Sequence, residues 1–332
     1  MTTRRPGPAV AKRQLRLKLR QGRLDANMTQ NDIAEATGWS PSKVLRLENG
    51  QTPIYPADML ALLTLLPSLG NERDELLQLV KDARRPTLSN RYSDVLPPPF
   101  AEWLEHEAYA VHVYQFENQF VPGVLQTDAY ATGIVNGILG RGTDPTRTQK
   151  VIDARIERAE PLLGPEGPRM DFIIDEASLR RAVGNEDGSK GLKPMIDQLQ
   201  HLKRHNTMGR AALGETIEPE INPAISVQIW PMIKGAYSGL GGPFELIEFP
   251  GGDINPMVYF ENRDGDAIVR DDVEVIAQYL DLFAELKQEV PSAADTNRHL
   301  DTIIELMENG QNGIELSPRP ARKPRKTTPA AG

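Results

Sequence analysis

Apolar residues recur every three to four positions through the first quarter of the chain, and the residues between those runs mark helix ends. Over residues 9–26, Val10, Leu15, Leu17, Leu19 and Leu24 are interspersed with Arg and Lys, which predicts a basic helix. Thr29 can cap a second helix, Gln30 to Thr37, with Ile33 and Ala34 turned inward. Gly38 stops it, because glycine tolerates positive φ. Ser40 caps a third helix, and Pro41 sits in its first turn, where a missing N–H costs nothing. That helix ends at Asn49-Gly50, and two more are predicted at about Pro56–Leu66 and Asn71–Arg84. The polar segment from Arg84 to Asn90 breaks the pattern and places a linker there.

Beyond the linker the pattern is mixed. Pro97, Pro98 and Pro99 precede a helix over Phe100–Glu107. Strand-like runs are Val111–Phe116, Met170–Ile174, Ile225–Trp230, Phe244–Phe249, Met257–Phe260 and Ile268–Arg270. Further helices are predicted near Thr127–Ile138, Pro145–Glu160, Gly191–Arg204, Asp271–Glu289 and Asp295–Glu308, and residues 209–223 read as a loop insertion. Strands and helices fall in blocks, which predicts an α+β domain with an antiparallel sheet. From about Gln311 the chain is basic and Pro-rich without apolar periodicity, which predicts a disordered tail.

Composition changes this picture in two places. The absence of cysteine excludes a disulfide framework and thiolate metal sites, and it fits a reducing cytoplasm. No apolar run reaches the ~18–20 residues of a membrane helix, and no apolar stretch follows the basic N-terminus, so neither a membrane span nor a secretory signal is expected. The net charge of −8 argues against a nucleic-acid binder until its distribution is read. Residues 1–90 hold 14 Lys+Arg against 9 Asp+Glu, residues 91–310 hold 19 against 36, and residues 311–332 hold 5 against 1. A basic head, an acidic body and a basic tail are what is expected when one end alone meets phosphate.

The chemistry of recognition lies in residues 28–50. Two helices joined by a tight turn need a small residue at their contact and a glycine in the turn, and Ala34 and Gly38 supply them. Val44 and Leu47 hold the third helix in place, which leaves Ser42, Lys43 and Arg46 outside. Residues at such positions reach base edges in the major groove, and an arginine there can pair bidentately with guanine. The spacing Thr29-Gln30, Ala34, Gly38 and the closing Leu47-Glu48-Asn49-Gly50 resemble the Xre, or phage-repressor-like, helix-turn-helix family over about residues 10–85. DNA contacts are expected from Thr29, Gln30, Ser40, Pro41, Ser42, Lys43, Arg46 and Asn49, and the resemblance implies that Gln30 and the region of Ser40 meet phosphate. It also implies a structural ion pair between Arg23 and Glu48. Pro41 departs from the polar residue common at its place.

The second half resembles the C-terminal domain of actinobacterial WhiJ-like, antitoxin-like regulators. The matching stretches are Trp103–Ala108, Phe120–Ala131, Asp175–Arg181 and Gly241–Pro250. This resemblance implies a small acidic partner protein encoded nearby. Other signals in that half are weaker. His201 and His205 are four apart on a predicted helix but lack a third ligand, so they read as surface histidines rather than a metal site. Glu102, Glu105 and Glu107 read as a solvated helix face. Trp103, Tyr109, Tyr114 and Phe116 could line an effector or partner pocket or pack in the core, and Glu176, Arg180 and Arg181 could contact an effector or partner or form ion pairs that hold strand to helix.

The expectation is a mainly α protein with an α+β part. A five-helix helix-turn-helix domain spans residues 1–90, a regulatory, dimerisation or partner-binding domain spans 91–310, and a tail spans 311–332. It is expected to be a cytoplasmic dimeric regulator of transcription, a repressor by analogy, without cofactor, metal or enzymatic activity. The alternative is an antitoxin-like protein that sequesters a small partner and regulates its own operon. No nucleophile and base are spelled out together, which disfavours an enzyme.

Overall fold

The computed structural model describes residues 6–86, 88–139, 144–184, 191–252, 254–261 and 267–310. The tail expected at 311–332 lies outside the described residues.

Five helices make up the N-terminal part: α1 (Pro8–Asp25), α2 (Gln30–Thr37), α3 (Pro41–Glu48), α4 (Pro56–Leu65) and α5 (Arg73–Asp82). Their ends follow local chemistry. Thr29 accepts from the backbone of Asp32, and the Asp32 side chain accepts from the backbone of Thr29, a reciprocal cap worth about 1 kcal/mol. Ser40 accepts from the Lys43 backbone, and Pro41 follows at the first helical position. Ala11, Leu15, Leu19, Ile33, Ala34, Val44, Leu47, Met59, Leu62 and Leu76 close one hydrophobic core over these helices.

The chain continues through α6 (Leu88–Arg91) and α7 (Pro98–Glu107) into β1 (His112–Glu117). Then come α8 (Asp128–Leu139), α9 (Pro145–Leu163), β2 (Arg169–Asp175), α10 (Glu176–Leu179), α11 (Lys193–His205), α12 (Thr207–Ala212) and β3 (Ile225–Trp230). The last elements are β4 (Phe244–Glu248), β5 (Met257–Glu261), β6 (Ala267–Arg270), α13 (Val273–Glu289) and α14 (Ala293–Glu308). The region expected as a loop insertion therefore begins with a short helix, α12.

The six strands form one sheet in the order β3-β2-β1-β4-β5-β6. The expected antiparallel sheet is corrected to a mixed one: β1, β2 and β3 run parallel, while β4, β5 and β6 are antiparallel. The reason lies in the connections. Helices α8 and α9 separate β1 from β2, and α10, α11 and α12 separate β2 from β3, so each return carries the chain back over the sheet. The later strands are joined by short links and pair as neighbours.

Alternation along the strands fills two cores. Phe172, Ile174, Val227, Ile229, Ile247 and Tyr259 face one layer with Trp103, Tyr130, Leu199 and Leu300. Ile173, Leu246 and Val258 face the other with Ile276, Phe283 and Leu286 of α13. Buried polar groups lock the layers together. Asn206 accepts from the backbone of Val227 and donates to the carbonyl of Ala293, joining α11, β3 and α14. Asn222 donates to the carbonyls of Leu162 and Pro168. Glu107, expected on a solvated face, is 1% exposed and takes two bonds of 2.6 Å from Arg158. The same guanidinium lies 3.3 Å from Glu245, which also accepts from the Trp103 indole. Burial and the neighbouring Glu107 push the Glu245 carboxyl well up, and Arg158 opposes that shift.

Helix α1 belongs to both halves. Ala11, Leu15 and Leu19 pack in the N-terminal core, while Val10 is buried in the core that contains Trp103. The Ala9 N–H donates to Glu105 of α7 over 2.8 Å, and Arg13 reaches Asp271 at 2.8 Å. Among the described residues, no helix is long and apolar enough to cross a membrane.

Candidate nucleic-acid interface

Helices α2 and α3 meet across a turn that Gly38 makes possible. Its φ is +70°, in the left-handed region, and a side chain there would meet nothing within 4 Å, so the requirement is conformational rather than spatial. Val44 and Leu47 anchor α3, each 3% exposed. Pro41, Ser42, Leu45, Arg46 and Asn49 are exposed on its opposite side.

Each flank of that face is tied down. On the α1 side, Arg23 Nε lies 2.6 Å from Glu48 Oε1 and Nη2 lies 3.1 Å from Oε2, a two-pronged pair with side chains 11% and 9% exposed. Arg23 also donates to the Met28 carbonyl, and the Gln30 amide donates to Glu48 at 2.7 Å. On the α4 side, Lys43 lies 2.7 Å from Asp58 and 3.8 Å from the centre of the Trp39 ring. The eight expected DNA-contact residues thus differ in freedom. Arg46, Pro41 and Asn49 have exposed side chains without a bond to a described residue. Ser42 shares a 3.1 Å contact with Ser40. Thr29 and Ser40 are engaged as caps, Gln30 is half-buried against Glu48, and Lys43 is held by Asp58. Leu45, 45% exposed between Ser42 and Asn49, was not among the expected residues. Its signal was an apolar residue off the Val44–Leu47 stripe, suited to a thymine methyl.

The pocket candidates Trp103, Tyr109, Tyr114, Glu176 and Arg180 do not share one pocket. Trp103 is 1% exposed, stacked on Tyr259 with ring centres 5.0 Å apart and bonded to Glu245, and Tyr109 is half-buried against the same core. Tyr114 packs on the opposite face of the sheet, against His112 and Phe283. Glu176 and Arg180 pair with each other beyond the end of β2, Nε to Oε1 at 2.8 Å. Strand alternation and the length of β2 keep the three places apart. The histidines expected at the surface are corrected as well. His205 is 7% exposed, its ring lies 4.4 Å from His201, and burial followed by His201 repulsion pulls its pKa down to about 4. Among the described residues, no group of three or more His, Cys, Asp or Glu is placed to hold a metal ion.

Comparison with known families gives two matches. Residues 14–76 match a family described as a helix-turn-helix domain, which covers the whole α2–α3 unit and supports a DNA-binding regulator. Residues 100–302, more than half of the chain, match the family described as Domain of unknown function (DUF5753), and the chain belongs to that family. No curated protein and no solved structure matches it.

Proposed function

We propose that the chain is a sequence-specific DNA-binding regulator of transcription of the Xre type, acting as a repressor. The observation that carries this reading is the exposed face of α3, fixed on both flanks, in a segment that matches a helix-turn-helix domain. In this reading Arg46 reads a base, with Ser42, Leu45 and Asn49 beside it, while Thr29, Gln30 and the region of Ser40 and Pro41 approach phosphate. Lys43 contributes only by leaving Asp58. The unit over residues 1–90 binds DNA, and the unit over 91–310 joins two copies and receives a partner protein or ligand. Two heads then read half-sites about 34–36 Å apart on a near-palindromic operator.

Selection from a random duplex library with the purified full chain tests it. An enriched two-fold motif, bound by a complex of dimeric mass in light scattering, is expected. Recovery of unenriched sequence at low salt and no binding at moderate salt would remove the reading.

A further inference from the structure

Helix α1 carries three cations that neither the helix-turn-helix turn nor either core uses. Lys12 and Arg20 are exposed and Arg16 is half-exposed, and none has an ion pair or hydrogen bond to a described residue. They stand four apart, and four residues of α-helix advance only about 40° around the axis, so the three share one face. That face is located by its neighbours. Arg23, three residues beyond Arg20, is bonded to Glu48 at the end of α3. A methyl group placed on Gly50, just past α3, would lie 3.8 Å from the Arg16 guanidinium. The neighbouring side of α1, about 100° around the axis, is taken up by Ala11, Leu15 and Leu19 in the N-terminal core. At its first turns Ala9 and Arg13 are bound to Glu105 and Asp271 of the acidic half.

We propose that Lys12, Arg16 and Arg20 form a phosphate track that continues the DNA footprint of α3 along α1. The inference rests on the DNA-binding reading and extends it to residues outside the helix-turn-helix. Three unpartnered cations in a line beside the C-terminal end of α3 offer a row of charge to a polyanion of regular spacing. The rise along the row is about 6 Å per step, near the distance between successive phosphates of one strand. Phosphate contacts of this kind set affinity and orientation without reading sequence. The acidic half lies directly beyond Lys12, so the track ends where the charge changes sign.

The test compares the full chain with the triple variant Lys12→Gln, Arg16→Gln, Arg20→Gln on a mixed-sequence duplex over a range of salt. The control variant Lys150→Gln, Lys193→Gln, Arg298→Gln removes the same charge from exposed positions of the other half. Losing three phosphate contacts lowers the slope of log K against log salt by about 2–3, while the control keeps the parent slope. The triple variant also keeps the parent melting temperature, since its side chains are unpartnered, and keeps the preferred sequence. A triple variant with the parent slope overturns the track, and so does equal flattening in both variants, which marks a long-range field. Retained DNA slope with lost binding of poly-glutamate assigns the row to an acidic polypeptide and overturns the DNA assignment. If the parent chain itself binds no duplex, the DNA-binding reading fails first, and the track with it.

Discussion

At the scale of single residues, position on α3 separates free side chains from held ones. Arg46 is exposed and unpartnered on a helix whose other face is anchored, whereas Lys43 is spoken for by Asp58 and the Trp39 ring. Arg46→Ala is expected to lose about 1–3 kcal/mol of affinity for the selected operator and little for random duplex. Competition gel shifts with both DNAs measure the difference, and equal losses would move Arg46 from base to backbone. His205 makes a second residue-scale prediction. Its folded pKa is lowered to about 4 from an ordinary 6.5, so the folded state favours the neutral ring. The associated stability is complete above pH 6.5 and is lost as pH falls through about 4, a total of about 3 kcal/mol. Melting temperatures across that window should fall more steeply for the parent than for His205→Phe. Parallel curves would contradict the assignment.

At the scale of elements, polar contacts rather than apolar ones decide which helix sits where. Arg158 on α9 joins Glu107 on α7 to Glu245 on β4, with the Trp103 indole closing the cluster. Removing the cation leaves two buried carboxyls without a counter-charge, so Arg158→Ala should cost about 3–5 kcal/mol. Glu245 is the group pushed toward its neutral form, so Glu245→Gln, a neutral isostere, should cost under about 1 kcal/mol. Urea denaturation of the two variants checks the asymmetry, and a Glu245→Gln loss as large as that of Arg158→Ala would place a charged carboxylate there instead. Little of this cluster was legible along the chain. Glu107 stands among Glu102 and Glu105 in an ordinary charged helix, and only a partner 51 residues away makes it a core residue.

At the scale of the whole molecule, α1 is the element both halves share. Val10 is buried in the core with Trp103, while Leu15 and Leu19 belong to the N-terminal core. Arg13 is 6% exposed beside Asp271, and its Nε and Nη1 have no partner among the described residues. Burial pulls its guanidinium down from the usual value, and Asp271 opposes that. A helix committed to two cores cannot leave one without disturbing the other. Calorimetry of the full chain should therefore give one cooperative transition. Two well-separated transitions would show that the α1–α7 contact is too weak to couple the halves.

The N-terminal helices were legible because their determinants are local. Thr29 and Ser40 cap within three residues, Gly38 supplies its own left-handed turn, and Val44 and Leu47 mark a buried stripe at helical spacing. Strand positions were legible as short apolar-rich runs; Ile225–Trp230, buried along its whole length, was read with its observed ends. Strand direction was not, because it depends on the path of connections such as α8–α9, which no single strand encodes. Partners were not legible either. Tyr114 and Trp103 lie on opposite faces of one sheet, His205 is buried against His201, and Lys43 finds Asp58, all through contacts that exist only once distant segments pack. The sequence by itself determined the caps and turn of α2 and α3 and which face of α3 is left exposed. Tertiary structure decided which charges remain free on that face, because a charge is free or paired only relative to what the fold brings beside it.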